Sequence, residues 1–287
     1  MNFVYKTPKS PGIAVHTLPA MARRGYWRLV HPHARPEHRF FWVTRGQGRF
    51  EIGAASRGFG PNSILFAPAG QVHALRPGAN AQGFAAFLPA DLPAPAAPAG
   101  PMLIKAGSIF DQGQLTGYFE QMLVEFNEAR TGSAEALEAY FTLLAVWMRR
   151  NRARDDWAAP RPDAAARLAS RFLDLLESDH GHGLSVRDYA RRLSVTPTHL
   201  NRTCRAVLGL SAGQCVQRRD IQAARYLLAD SNERIGRIGA MLGFRSAAYF
   251  TRAFRRQTGQ SPREFRAGAQ GTRALPRLSR PFPGIGK

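Results

Sequence analysis

Two groups of residues in this chain have types and spacings that can do chemistry. The first is a set of hydrogen-bonding and cationic side chains that recurs about fifty residues apart. It comprises Thr198, Asn201, Arg202 and Arg205, then Thr251, Arg252, Arg255 and Arg256. Arg pairs with the guanine edge and Asn with the adenine edge in the major groove of DNA, so these residue types suit base reading. The second is a group of metal-ligand types, His31, His33, Glu37 and His73. Imidazole and carboxylate together suit Fe, Mn, Ni or Zn.

The elements that must position the first group are helical. From Asp163 to Arg266 the apolar residues recur at helical spacing. Asp163 is a helix N-cap, and Leu168, Phe172, Leu175 and Leu176 share one face. A short helix capped by Ser185 ends near Leu193. Ser194 and Val195 turn the chain, and Thr196-Pro197 starts a second helix carrying Thr198 to Arg205. Small Ala190 lets the two helices cross closely. A long helix, about 211–229, follows. The short-helix pattern then returns with Ile235, Ile238 and Leu242, a turn at Gly243-Phe244, and a helix capped by Ser246. One such pair would fit any helical bundle with solvated Arg. Its repetition, each time with a cap and an Arg-bearing second helix, points to two helix-turn-helix units on DNA.

Charge agrees with that reading. The chain has 287 residues and a formal net charge of +20. From Arg161 onward there are 23 basic and 9 acidic residues, against 17 and 11 before it. A basic half of this kind attracts polyanions through counterion release. Cys204 and Cys215 are too few for a disulfide framework and read as small core residues of a reducing cytoplasm. No apolar run reaches the ~18 residues that a membrane span needs, and the start lacks a signal core. A cytoplasmic protein without membrane contact is expected.

The run Gly243-Phe244-Arg245-Ser246, then Tyr249-Phe250-Thr251-Arg252-Ala253-Phe254-Arg255, then Gly259-Gln260-Ser261-Pro262 and Phe265-Arg266 resembles the signature of the AraC/XylS family of regulators. The resemblance covers roughly 163–266. It implies two helix-turn-helix units joined by the long helix, reading successive major-groove segments. By position, the implied DNA contacts are Thr196, Thr198, Asn201, Arg202 and Arg205 in unit one. In unit two they are Arg245, Ser246, Ala247, Ala248, Thr251, Arg252 and Arg256. Ala247 and Ala248 can touch a thymine methyl but form no hydrogen bond, so unit one is expected to discriminate more sharply. Gly236 and Gly239 interrupt the first helix of unit two, and Asp220 stands where the family usually has Arg. Unit two is therefore expected to be the softer one.

The N-terminal half reads as β over 26–88, with short apolar runs between Gly-rich turns. Gly25-x5-His31-x-His33-x3-Glu37 and Pro68-x-Gly70-x2-His73 resemble the two cupin motifs, with Arg39 at the usual Glu register. The resemblance implies a cupin-like barrel that holds a small-molecule effector, the candidate residues being Trp27, His31, His33, Trp42 and His73. Metal binding by His31, His33, Glu37 and His73 is the less favoured alternative, and no cofactor is assigned. Two amphipathic helices, 112–130 and 133–150, either cover the barrel or form a dimer surface.

The expected fold is thus α+β in two domains. A cupin-like domain with its helix pair spans 1–150, a linker 151–162, the DNA-binding domain 163–266 and a basic tail 267–287. The expected function is an AraC-type transcription regulator, not an enzyme, with double-stranded DNA, a small-molecule effector, RNA polymerase and a second copy of the chain as partners. The alternative is a metal-dependent cupin enzyme fused to a DNA-binding module.

Overall fold

The computed structural model describes residues 12–90, 97–157, 163–179 and 183–271. Residues 1–11 and 91–96, residues 158–162 of the expected linker and the expected basic tail from 272 lie outside them.

The chain enters on a strand, Ala14–Thr17 (β1), and then makes two short helices, Leu18–Gly25 (α1) and Trp27–Val30 (α2). Thr17 caps α1 and Pro19 sits in its first turn. The β reading of 26–88 is therefore corrected at its start: strands resume at Glu37–Arg45 (β2). Gly48–Ile52 (β3), Ala55–Phe59 (β4), Ser63–Ala67 (β5), His73–Pro77 (β6), Gln82–Pro89 (β7) and Met102–Lys105 (β8) follow. All pair antiparallel, in one sheet ordered β1-β7-β2-β5-β8 and another ordered β4-β3-β6. Strand pairing among the described residues gives two sheets rather than one closed ring.

Strand β2 shows why the apolar run Phe40-Phe41-Trp42-Val43 is unbroken. Its alternate side chains serve two cores. Phe41 and Val43 join Phe50, Phe59 and Leu75 of the smaller sheet. Phe40 and Trp42 face Ile109–Glu128 (α3) and Ser133–Arg150 (α4), where they meet Phe119, Met122, Phe141 and Leu144. The helix stripes are thus spent on covering the large sheet. Gly83 takes a φ of +142° beside Trp42, whose carbonyl oxygen would lie 1.9 Å from an added Cβ; only glycine fits there.

Residues expected to open the linker are instead packed on this domain. Asp155 accepts the backbone N–H of Leu103 at 2.9 Å, and Trp157 is buried against Phe50.

The second domain begins with Ala164–Asp179 (α5). Val186–Arg192 (α6) and Pro197–Leu208 (α7) form unit one. Ala212–Asp230 (α8) links it to Ile235–Met241 (α9) and Ala247–Thr258 (α10), unit two. Pro262–Gly271 (α11) closes the domain and runs past the expected boundary at 266. Helix α8 bridges two cores. Cys215 packs with unit one, whereas Ile221, Ala224 and Leu228 pack with unit two.

Candidate nucleic-acid interface

The two units are built to one plan. Helices α6 and α9 each span 7 residues, and α7 and α10 each span 12. Each turn is closed by the same bond, Val195 N–H to Ala190 O and Phe244 N–H to Gly239 O, both 3.0 Å. Ser194 and Gly243 take the left-handed turn position, with φ of 58° and 75°. Ala190 and Gly239 therefore correspond, and both are buried. An added Cβ on Gly239 would lie 3.1 Å from three carbons of Phe250. The glycine expected to loosen α9 is where the aromatic of α10 seats.

Thr196 caps α7 by accepting His199 N–H at 3.1 Å, and Ser246 caps α10 by accepting Tyr249 N–H at 3.2 Å. Each hydroxyl oxygen thus accepts one helix N–H, and both residues are exposed. Thr198, Arg202 and Arg205 are exposed along α7, and Arg202 also reaches His199 Nδ1 at 3.3 Å. With Asn201 they border one open concavity. In unit two Arg245, Ala247, Ala248, Arg252 and Arg256 are exposed and Thr251 is half-buried. Asn201 differs from its neighbours: its Oδ1 accepts the backbone N–H of Ala212 at 3.0 Å. Thr251 and Pro262 stand at the same places in unit two. Proline has no N–H to satisfy, so Thr251 carries no such duty.

The N-terminal candidates separate. Trp42 is core, its indole N–H donated to Thr116 Oγ1 at 3.0 Å. Trp27, His33 and His73 lie where the sheets meet the helical domain. Trp27 packs edge-on to Tyr226 of α8 and against Phe265 of α11. Its carbonyl accepts from Gln222 at 3.2 Å. Beside it, Arg28 forms a two-pronged pair with Asp230 at 3.0 and 3.1 Å. His33 Nδ1–H donates to the carbonyl of His31 at 2.7 Å, which leaves Nε2 as the acceptor for Tyr226 OH at 2.9 Å. His73 likewise donates Nδ1–H to Gln71 O at 2.9 Å. Burial, reinforced by Arg39, holds both imidazoles neutral, His33 well below its ordinary value and His73 down to about 3. His31 borders a cavity between the two domains.

These groups do not fit a metal. Arg39 and Arg35 hold one carboxylate oxygen of Glu37 at 2.7 and 3.1 Å, and Tyr226 takes the free nitrogen of His33. Among the described residues no three His, Cys, Asp or Glu side chains are arranged to hold a metal ion. No helix among them is long and apolar enough to cross a membrane.

Tyr226, Gln222 and Asp230 escaped the sequence reading. Helical periodicity marks a face as apolar or polar but does not name what it meets.

A family profile described as "Helix-turn-helix domain" matches residues 189–268. The arabinose operon regulatory protein of Escherichia coli K12 is 28% identical over 166 residues, covering 57% of this chain and 50% of that one. The transcriptional activator RhaR of Yersinia pseudotuberculosis is 25% identical over 162 residues, covering 56% and 55%. The chain thus spans about half the length of the curated relatives it matches. A substituted apo form of ToxT from Vibrio cholerae, 13% identical, covers 92% of this chain and 100% of its own with a TM-score of 0.47.

Proposed function

We propose, from a chain whose C-terminal part is a helix-turn-helix domain of the AraC type, that this protein is a sequence-specific DNA-binding transcription regulator. One observation carries the reading. Two helices of equal length, α7 and α10, stand on a shared support helix, each capped at its start and studded with exposed Arg. A second helix presented in this way enters the major groove. The basic surplus of this half supplies the sequence-independent part of the affinity.

The two relatives, a regulatory protein of an operon and a transcriptional activator, support the same role here. In this reading the N-terminal domain takes a small-molecule effector, and the protein works in the cytoplasm as a homodimer that also meets RNA polymerase. Effector control requires different affinity for the two arrangements of the DNA-binding domain. The contact of Trp27, Arg28 and His33 with α8 gives the N-terminal domain a direct hold on that domain.

Selection of bound duplexes from a random pool tests the reading. The expected product is a site with two conserved segments about one helical turn apart, ~10–10.5 base pairs. Equal affinity for selected and random duplexes sinks it.

A further inference from the structure

The cavity beside His31 has a volume of about 220 Å³. Its walls come from both domains. The β3–β4 hairpin and β6 contribute Glu51, Ala55 and Arg76, and α5 contributes Leu176 and Glu177. Further wall comes from the end of α7, with Val207 and Leu208, and from the N-terminal half of α8, with Arg218 and Arg219.

Charge on these walls is nearly balanced. Arg76 pairs with Glu51 at 2.7 Å, and Arg219 pairs with Glu177 at 2.5 Å. Arg218 has no carboxylate partner among the described residues. Apart from His31, Ser56 and Cys215 the rest of the wall is aliphatic or glycine, and Arg218 itself is exposed at the cavity's edge. A pocket with an apolar lining and one surplus guanidinium selects a matching molecule, one with a hydrocarbon body and a single anionic head. The planar fork of Arg favours a carboxylate.

We infer that this cavity binds a small organic monocarboxylate, with its head group on Arg218 and its apolar body against Leu176 and Leu208. His31 offers a neutral imidazole to the same ligand. Burial, together with Arg225, Arg76 and Arg218, lowers it to about 4, so it adds no second charge near neutrality. The ligand would touch the last turn of α7, the candidate reading helix of unit one. This assignment places the effector between the domains, and it rests on the regulator reading for its consequence.

Titration calorimetry on the full chain, without DNA, tests the assignment with cyclohexanecarboxylate, 4-methylpentanoate and their uncharged amides. The acids are expected to bind at least roughly tenfold tighter than the amides. Arg218→Gln should erase that preference while leaving the denaturation midpoint unchanged, and Arg218→Lys should restore part of it. Equal binding of acid and amide overturns the inference. So does acid preference that survives Arg218→Gln, or no acid binding up to about 10 mM. If Arg218→Gln fails to fold, Arg218→Lys decides: full acid affinity there removes the guanidinium from the account. Because no DNA is present, a failed duplex selection strikes the regulator reading alone, and a failed titration strikes the cavity alone.

Discussion

The side-chain oxygen of Asn201 accepts the backbone N–H of Ala212 at 3.0 Å, fastening α7 to the start of α8. Bidentate adenine readout needs that oxygen together with the amide N–H₂. Asn201 is therefore engaged in holding unit one together, while exposed Arg202 beside it pairs with no carboxylate among the described residues. Asn201→Ala is expected to cost ~0.5–1.5 kcal/mol of stability, the net worth of one hydrogen bond. It should also weaken DNA binding by similar factors on all sequences. Arg202→Ala should instead cost ~1–3 kcal/mol on the selected site and relax preference at one base pair. Chemical denaturation and binding to single-base variants of the selected duplex separate the two.

The glycines of α9 should respond in opposite senses. A Cβ on Gly236 would meet Ala247 Cβ at 3.9 Å, an ordinary contact. Gly236→Ala is expected to stabilise by up to ~1 kcal/mol through helix propensity. At Gly239 the same change presses on the Phe250 ring at 3.1 Å. Overpacking costs ~1–3 kcal/mol, which exceeds the propensity gain. Urea midpoints should rise for the first variant and fall for the second.

Tyr226 donates to a His33 nitrogen that is otherwise buried without a partner. Tyr226→Phe keeps the ring packed on Trp27 and removes only the donor. An orphaned buried acceptor costs ~1–3 kcal/mol. Slower-exchanging amides of α8 and β2 should lose protection in this variant. A double-mutant cycle with His33→Phe should recover much of the loss if the bond is the cause.

Stability should fall on mild acidification. The unfolded chain takes up protons on histidine near pH 6.5. In the fold, burial first and neighbouring guanidiniums second hold His31 near 4 and His73 near 3. Between those values the unfolded state binds more protons, so stability rises with pH through this window. It is complete above about pH 6.5 and is lost progressively towards pH 3–4. Glu37 acts in the same sense: burial pushes its carboxyl up, but Arg39 and Arg35 outweigh it and hold it low. His73→Gln should flatten the dependence of the urea midpoint between pH 7 and 5; an unchanged slope would remove His73 from the account.

Trp157 lies in a stretch whose composition reads as linker, yet it is buried beside Phe50. Trp157→Ala is expected to cost ~3–5 kcal/mol, as for other buried aromatics. A thermal unfolding midpoint unmoved by this change would return residues 151–157 to the linker.

Much of the second domain was legible in the residues themselves. Caps at Ser185, Thr196 and Ser246, the turn glycine and the 3.6-residue spacing are local signals, and local hydrogen bonds obey them wherever the segment lies. The paired cores and the helix-turn-helix repeat followed from these. What the sequence did not carry was partnership between distant segments. That Gly239 seats Phe250, that Asn201 serves Ala212, that Trp157 belongs to the sheets and that Trp27 and His33 meet α8 are outcomes of packing. A side chain's type fixes what bonds it can make, but only the tertiary arrangement brings its partner within 3 Å. The same cause moved His31 from an expected barrel lining to a cavity between domains: its wall is shared by helices more than a hundred residues away along the chain.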